Sequence, residues 1–300
     1  MHTQVLLNTH AGALINADVD AFSHALRERL QDAGHSVDVI ATEAADIDAR
    51  LREAALNDSI DRLIVGGGDG TIRSAAAKLM GTGKPLGIIP MGTLNRLARD
   101  LEMPLVPMQA VDALCRASVA DIDTADVNGH VFLCQSLMGL PVLVAARRQK
   151  LRGKPLIARG WGMMRLLVDA LQANRKKTIS VRDENETQKL RALSLAVVLN
   201  EFSETASLMM KRQNLSDGQL VLYASKHKSG LQTAGAMVKA LAGLFKDDPS
   251  LLIFDGSTFT VNSRRKRITL SNDGEIERTS FPLRYTIHPK SLKVLRPKPL

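Results

Sequence analysis

Aromatic residues are scarce in this chain of 300 residues: one Trp, two Tyr and seven Phe, 3% in all. Proteins that hold single-stranded nucleic acid stack its bases on aromatic rings, so this scarcity argues against a nucleic-acid partner. Cysteines number two, Cys115 and Cys134, which cannot build a disulfide framework or a zinc site by themselves. Cys115 falls in helical phase with Met108 and Val111 and reads as a small core residue. The longest weakly polar run, Leu137 to Ala146, falls well short of the roughly 20 residues a spanning helix needs. No N-terminal stretch combines a basic start, an apolar core and a small-residue cleavage site, which speaks against a secretory signal. These absences predict a cytoplasmic, reduced protein. A hydrophobic content of 45% and 300 residues suit one large or two modest domains with real cores.

What the chain has in excess is positive charge: 40 Lys and Arg against 31 Asp and Glu, a net +9. The cations cluster at Arg147-Arg148-x-Lys150-x-Arg152-x-Lys154, Arg175-Lys176-Lys177 and Arg264-Arg265-Lys266-Arg267. Such a balance favours polyanions, and with nucleic acid disfavoured it points to anionic lipid headgroups or phosphorylated ligands. Arg147 to Lys154 and Trp161 are the candidates for a membrane-facing surface, although Trp161 also falls in an apolar helical phase.

Over the first 120 residues strand and helix signals alternate. Val5 to Leu7, Val37 to Ile40, Arg62 to Val65 and Leu86 to Ile89 read as strands. Val19, Phe22, Leu26, Leu30 and Ala33 keep helical spacing and stop at Gly34, and Ile47 to Leu56 reads as a second helix. A further helix carries Leu94, Leu97, Ala98 and Leu101 on its apolar face. This alternation predicts a parallel sheet with helices on both faces, with ligands held beyond the carboxyl ends of its strands. Near residue 122 the pattern changes. Ile122 to Val127, the turn Asn128-Gly129 and Val131 to Ser136 read as a β-hairpin. Helical stretches follow through Ile157, Trp161, Met164, Val168 and Leu171, and again from Ser229 to Phe245. Otherwise strands dominate, at 178–182, 193–199, 220–223, 257–261, 267–270 and 283–287, which predicts a second, mainly antiparallel domain.

Chemistry concentrates in four segments. In Gly66-Gly67-Gly68-Asp69-Gly70-Thr71 a strand turns through four glycines into a helix that carries Ile72, Ala75, Ala76 and Leu79. Unhindered N–H groups and a positive dipole end make such a turn a phosphate cradle. A carboxylate there repels phosphate unless a cation bridges the two, so Asp69 argues for Mg²⁺ together with a nucleotide. Pro90-Met91-Gly92-Thr93-Leu94-Asn95-Arg96-Leu97-Ala98-Arg99 starts a helix at another strand end. Thr93 could donate to a phosphate there, and Asn95 and Arg99 would share the polar face. Asp217-Gly218 precedes a strand, and Asn272-Asp273-Gly274-Glu275 follows one. Each Asp-Gly pair alone reads as a hairpin turn; the order of all four segments carries more information.

With these four segments in this order, and a weaker Asn8-x-x-Ala11-Gly12, the chain resembles the diacylglycerol kinase catalytic family, which includes sphingosine and ceramide kinases and bacterial soluble lipid kinases. The resemblance implies an N-terminal three-layer, Rossmann-like α/β nucleotide domain (1–122) and a C-terminal, mainly antiparallel β-sandwich domain (123–288). Residues 289–300 would return to the first domain, and ATP and lipid would meet in the cleft. Under the resemblance Thr42, Gly66, Gly67, Gly68, Asp69, Gly70, Thr71, Thr93 and Asn95 line the ATP site, with Asp69 acting through Mg²⁺ or its waters. Asp217 and the backbone carbonyls of Asn214 and Gln219 would hold a Mg²⁺ that supports the active fold. Glu275 matches the proposed general base. The implied activity is transfer of the γ-phosphoryl group of ATP to a lipid hydroxyl, such as that of diacylglycerol, with peripheral contact to an anionic membrane surface. A homo-oligomer is compatible with the sequence.

The chain departs from the family pattern in places. Arg73-Ser74 follow Ile72 where many members carry Asn and Glu, and Leu94 and Arg96 stand where many have Gly and Asp. Glu201-Phe202-Ser203-Glu204 replaces a glycine-rich segment after Asn200. Alternatives are an NAD kinase-like nucleotide kinase, whose loop is similar, and a non-catalytic nucleotide- or lipid-binding regulator of the same fold. Gly83-Lys84-Pro85 lacks the pattern of a P-loop, and Gly66-x-Gly68-x-Gly70 has the wrong glycine spacing for a dinucleotide fingerprint.

Overall fold

In a computed structural model, the structure describes residues 2–15, 17–139, 141–143, 146, 162, 165, 177–182, 187–192, 194–201, 212, 214–225 and 251–298. Apart from Gly162 and Arg165, which are helical, the expected helical stretches at 157–171 and 229–245, the cation cluster at 147–154, Arg175-Lys176 and Trp161 lie outside these residues. The chain forms two compact units, Met1–Thr124 with Pro289–Leu300, and Ala125–His288.

The first unit is built on parallel strands β1 (His2–Asn8), β2 (Ser36–Thr42), β3 (Arg62–Gly67) and β4 (Leu86–Pro90), in the spatial order β2-β1-β3-β4. Every residue of β3 and β4 is buried, as a continuous apolar run predicts for a strand covered on both faces. Helix α1 (Val19–Asp32) packs with α5 (Pro107–Cys115), and α2 (Ile47–Leu56) packs with α3 (Asp69–Leu79), giving the sheet its helical layers. Asp18 caps α1 by accepting from the Ala21 N–H at 2.9 Å. Lys84 closes the other end of α2, where its Nζ donates to the carbonyls of Ala54, Ala55 and Asn57 at 3.3, 2.8 and 2.7 Å. A cation there matches the negative end of the helix dipole. The late part of the final strand, β16 (Leu283–Arg296), runs parallel to β4 with Val294 opposite Leu86.

The second unit is a sandwich of antiparallel strands. One sheet has the order β12 (Leu251–Gly256), β11 (Leu220–Ser225), β10 (Ser194–Leu199), β7 (Gln135–Gly139), β14 (Arg267–Asn272) and β15 (Glu275–Ser280). Facing it are β8 (Lys177–Arg182), β9 (Thr187–Ala192), β13 (Thr258–Ser263) and the early part of β16, with the hairpin of β5 (Ser118–Val127) and β6 (His130–Phe132). One core joins the two layers: Val181, Phe259, Val261 and Tyr285 meet Met138, Val197, Leu222 and Leu270. Phe132 and Tyr285 make an edge-to-face pair with centroids 6.2 Å apart. Burial pushes the Tyr285 phenol up to about 12.

The expected hairpin arm 131–136 divides in two. His130–Phe132 pairs with β5, while Gln135–Gly139 leaves for the other sheet and pairs with β10 and β14. Asn128 and Gly129, both at positive φ (51° and 82°), form the turn as expected.

Arg62, at the amino end of β3, is 4% exposed. Its Nε donates to Thr3 Oγ1 at 2.7 Å, and its Nη2 is buried without a hydrogen-bond partner, as is His35 Nε2. Burial, then the Arg62 charge, hold the His35 imidazole below its ordinary 6.5. The unfolded histidine therefore takes its proton first as pH falls, and folding stability declines below pH 6.5 toward the depressed folded value. Arg62→Met is expected to change stability by less than about 1 kcal/mol at pH 8, since removing a buried charge offsets the loss of its hydrogen bond to Thr3. It should also shrink the acid-side loss. Urea denaturation of both proteins between pH 5 and 8 checks the pair of outcomes.

Candidate functional site

In the first unit two loops meet beyond the carboxyl ends of β3 and β4, where the Met91 N–H donates to the Gly67 carbonyl at 3.0 Å. Gly68 is the N-cap of α3, and no side chain caps the first turn. The leading N–H groups and the positive end of the dipole are therefore offered to an anion. Glycine is required by space at two positions. A Cβ on Gly67 would lie 2.6 Å from the Thr71 Cβ, and one on Gly92 would lie 2.7 Å from the Gly68 Cα. The absence of a Cβ lets the second loop lie directly against the first.

Thr71 is fixed from the first strand. Asn8 Nδ2 donates to Thr71 Oγ1 at 3.0 Å, while Asn8 Oδ1 accepts from the His10 N–H at 3.0 Å. Thr42 ends β2 directly opposite Asn8, and its carbonyl accepts from the Thr9 N–H at 3.0 Å. The structure thus gathers Asn8, Thr42, Gly66 to Thr71 and the Gly92–Arg96 loop at one end of the sheet. Thr93 is exposed there.

Asp69, the first residue of α3, reaches the second loop. Its Oδ2 accepts from the Asn95 N–H at 3.0 Å and its Oδ1 from the Arg96 N–H at 2.6 Å. These amides stabilise the carboxylate charge. The expected helix over Thr93 to Arg99 begins later: α4 is Arg96–Asp100, and Asn95 sits outside it in the left-handed region at φ 49°. Asn95 and Arg99 consequently do not share a helix face. The Asn95 side chain turns back on Gly92, accepting from its N–H at 2.8 Å and donating to its carbonyl at 3.0 Å, while Arg99 Nε donates to the Leu94 carbonyl at 2.8 Å.

The second unit holds the remaining expected residues. Asp217 is exposed, and its Oδ1 accepts from Asn214 Nδ2 at 2.6 Å. Asn214 Oδ1 in turn accepts from the N–H groups of Leu215 and Ser216. Gln219 is tied to buried Asn200, which donates its N–H to the Gln219 carbonyl at 2.8 Å and accepts the Gln219 N–H at 3.2 Å. One carboxylate with backbone carbonyls is a hard oxygen set, which fits a Mg²⁺ that keeps most of its waters. Among the described residues no three His, Cys, Asp or Glu side chains gather in a way that could hold a metal ion.

Asp273 and Gly274, at φ 51° and 97°, turn β14 into β15 and place Glu275 across from Asn272. Asp273 is 5% exposed, and its carboxylate accepts three N–H groups, from Leu133 at 2.6 Å and from Cys134 and Gln135 at 2.9 Å each. Arg212, also buried, donates from Nη1 to the Leu133 carbonyl at 2.7 Å. Asn272 is fully buried and donates to Glu277 Oε2 at 2.7 Å, and His130 Nδ1 lies 3.5 Å from the same oxygen. Strand alternation puts Glu277 on the face of Glu275. Arg212, Glu277 and His130 escaped the sequence reading because none stands in a motif; the two-residue step from Glu275 to Glu277 was the one available signal.

Residues 2–127 match the family model described as the diacylglycerol kinase catalytic domain. The chain is 37% identical over 145 residues to a protein named probable lipid kinase YegS-like from Pseudomonas fluorescens, covering 48% of this chain and 47% of that protein. It is 34% identical over 110 residues to a diacylglycerol kinase from Staphylococcus aureus, covering 35% of this chain and 34% of that one. The matched stretch is thus about half the length of the Pseudomonas relative. The fold is that of a crystal structure of a diacylglycerol kinase from Bacillus anthracis, with a TM-score of 0.75, 18% identity and coverage of 98% and 96% of the two chains.

Asp273→Asn is expected to lower the unfolding free energy by about 2 kcal/mol, because an amide NH₂ cannot accept and leaves a buried N–H unpaired. Glu275→Gln, a half-buried change in the same turn, is expected to stay within about 0.5 kcal/mol of the parent. Urea titration of the two variants side by side checks both values.

Proposed function

We propose that this chain, whose residues 2–127 match the diacylglycerol kinase catalytic domain, is a lipid kinase of that family that moves the γ-phosphoryl group of ATP to a lipid hydroxyl. The observation that carries the reading is the N-terminus of α3, which begins at a glycine N-cap with no side-chain cap and lies beside a second glycine loop packed closely against it. Backbone N–H groups of Asp69, Gly70 and Thr71 would receive the phosphates, with the Thr93 hydroxyl as a further donor. Phosphoryl transfer asks a protein for position and charge neutralisation and needs no covalent intermediate. Mg²⁺, when bound, supplies the neutralisation, and Asp217 with the Asn214 and Gln219 carbonyls are the residues proposed to hold one ion.

In this reading Glu275 is the general base. Its carboxylate takes the proton of the lipid hydroxyl as that oxygen bonds to the γ-phosphorus, while the bond from phosphorus to the β–γ bridging oxygen breaks and ADP departs. A lipid acceptor brings the protein to a membrane surface. No helix among the described residues is long and apolar enough to cross a membrane. The exposed run Arg264-Arg265-Lys266-Arg267 supports attraction to anionic headgroups.

Incubation with γ-labelled ATP, Mg²⁺ and a total lipid extract is expected to label at least one lipid. Glu275→Gln is expected to lower that rate about 100-fold or more while the protein stays folded. Label appearing on NAD instead would establish a nucleotide kinase, and ATP binding without any labelled product would establish a regulator.

A further inference from the structure

Asp69 does something that a phosphate cradle does not ask of it. A carboxylate in the first turn of a helix sits well on the dipole, but it stands against an incoming triphosphate. Here both of its oxygens face a different segment, accepting the Asn95 and Arg96 N–H groups at 3.0 and 2.6 Å. Those two amides are presented side by side because Asn95 occupies the left-handed region at φ 49°, which costs a non-glycine residue about 1 kcal/mol. Asn95 is kept there by its own side chain, which bonds both the N–H and the carbonyl of Gly92. Gly92 in turn lies against Gly68 so closely that a Cβ on it would fall 2.7 Å from the Gly68 Cα. Asp69, Asn95, Gly92 and Gly68 thus close a ring that runs from one loop to the other and back.

We propose that Asp69 is a positioning residue: its carboxylate clamps the Pro90–Arg96 loop to the Gly66–Thr71 loop, so that Thr93 and the α3 N–H groups meet a triphosphate as one preformed surface. The proposal deepens the lipid-kinase reading and rests on it for the identity of the ligand. It gives Asp69 a role on the nucleotide through the backbone of the second loop. A metal-holding role would act through the cation. The two differ in what they predict for Mg²⁺. A clamp matters to ATP whether or not the ion is present, because the surface it builds is made of protein groups. A metal ligand matters only when the ion is there.

The ring also allows the clamp to be broken without touching the carboxylate. Gly92→Ala would force the two loops apart by the added methyl while leaving Asp69 intact. Asp69→Asn removes one acceptor and sets an NH₂ against a backbone N–H.

The test has two arms on the full chain. Hydrogen exchange of the ligand-free protein reads the clamp directly. The Asn95 and Arg96 amides are expected to be protected in the parent and to exchange at least tenfold faster in Asp69→Asn and in Gly92→Ala, with the β1 and β3 amides unchanged as a check of folding. Calorimetric titration with ATP, in Mg²⁺ and in EDTA, reads the consequence. Both variants are expected to weaken ATP by about tenfold or more, consistent with loss of one charge-assisted hydrogen bond, and by the same factor in the two buffers. Equal exchange in parent and variants would overturn the proposal, and so would a loss of ATP affinity by Asp69→Asn seen only with Mg²⁺. A parent that binds no ATP in either buffer would remove the kinase reading, and the exchange arm would still decide whether the clamp exists.

Discussion

The hydrogen bond from backbone N–H to carboxylate is the interaction on which both sites depend. Asp69 accepts two such bonds from residues 26 and 27 positions away, and Asp273 accepts three from residues 138 to 140 positions away. In both cases backbone amides let an acidic side chain fasten two separate segments. An amide has a fixed direction, so the bond fixes the path of the chain as well as its distance. Charge-assisted bonds of this type are also stronger than neutral ones. A lysine or arginine partner would bring flexible carbons and a second charge. Amides bring neither.

Around these fasteners the two units solve different packing problems. In the first, strands buried on both faces leave their carboxyl ends as the place where loops can diverge, and the glycines keep that place free of side chains. In the second, a single core between two antiparallel layers supports turns at the sandwich edges, and it is the Asp273-Gly274 turn that carries Glu275. The chemistry proposed for each unit follows this difference: amides for phosphates in one, a carboxylate for a hydroxyl proton in the other.

Much of this was legible in the letters. Ile47 to Leu56 is a helix with those very ends, because its apolar positions recur at helical spacing and Asn57 follows. The glycine loop was legible since only glycine permits such close approach. The change of pattern near residue 122 lies beside the division after Thr124. Other parts were hidden for identifiable reasons. Strands β9 and β15, Thr-Gln-Lys-Leu-Arg-Ala and Glu-Ile-Glu-Arg-Thr-Ser, show polar faces to solvent and carry few β-formers, so their sequences look like loops. Asn95 belongs to a helix by its neighbours' propensity and leaves it through bonds to Gly92. Asp69 and Asp273 were singled out as chemical groups, but their partners are backbone amides, which every residue possesses and no letter marks.

The path of β16 carries a consequence for how the protein is made. Residues 289–300 belong with the first 124, and Val294 lies beside Leu86 in their sheet. The whole of the second unit is therefore translated between the start of the first unit and its last strand. Until that strand leaves the ribosome, β4 has an open edge on that side, and the nascent first unit waits with unpaired backbone groups while its neighbour folds. The order of synthesis thus sets an order of completion in which the unit begun first is finished last.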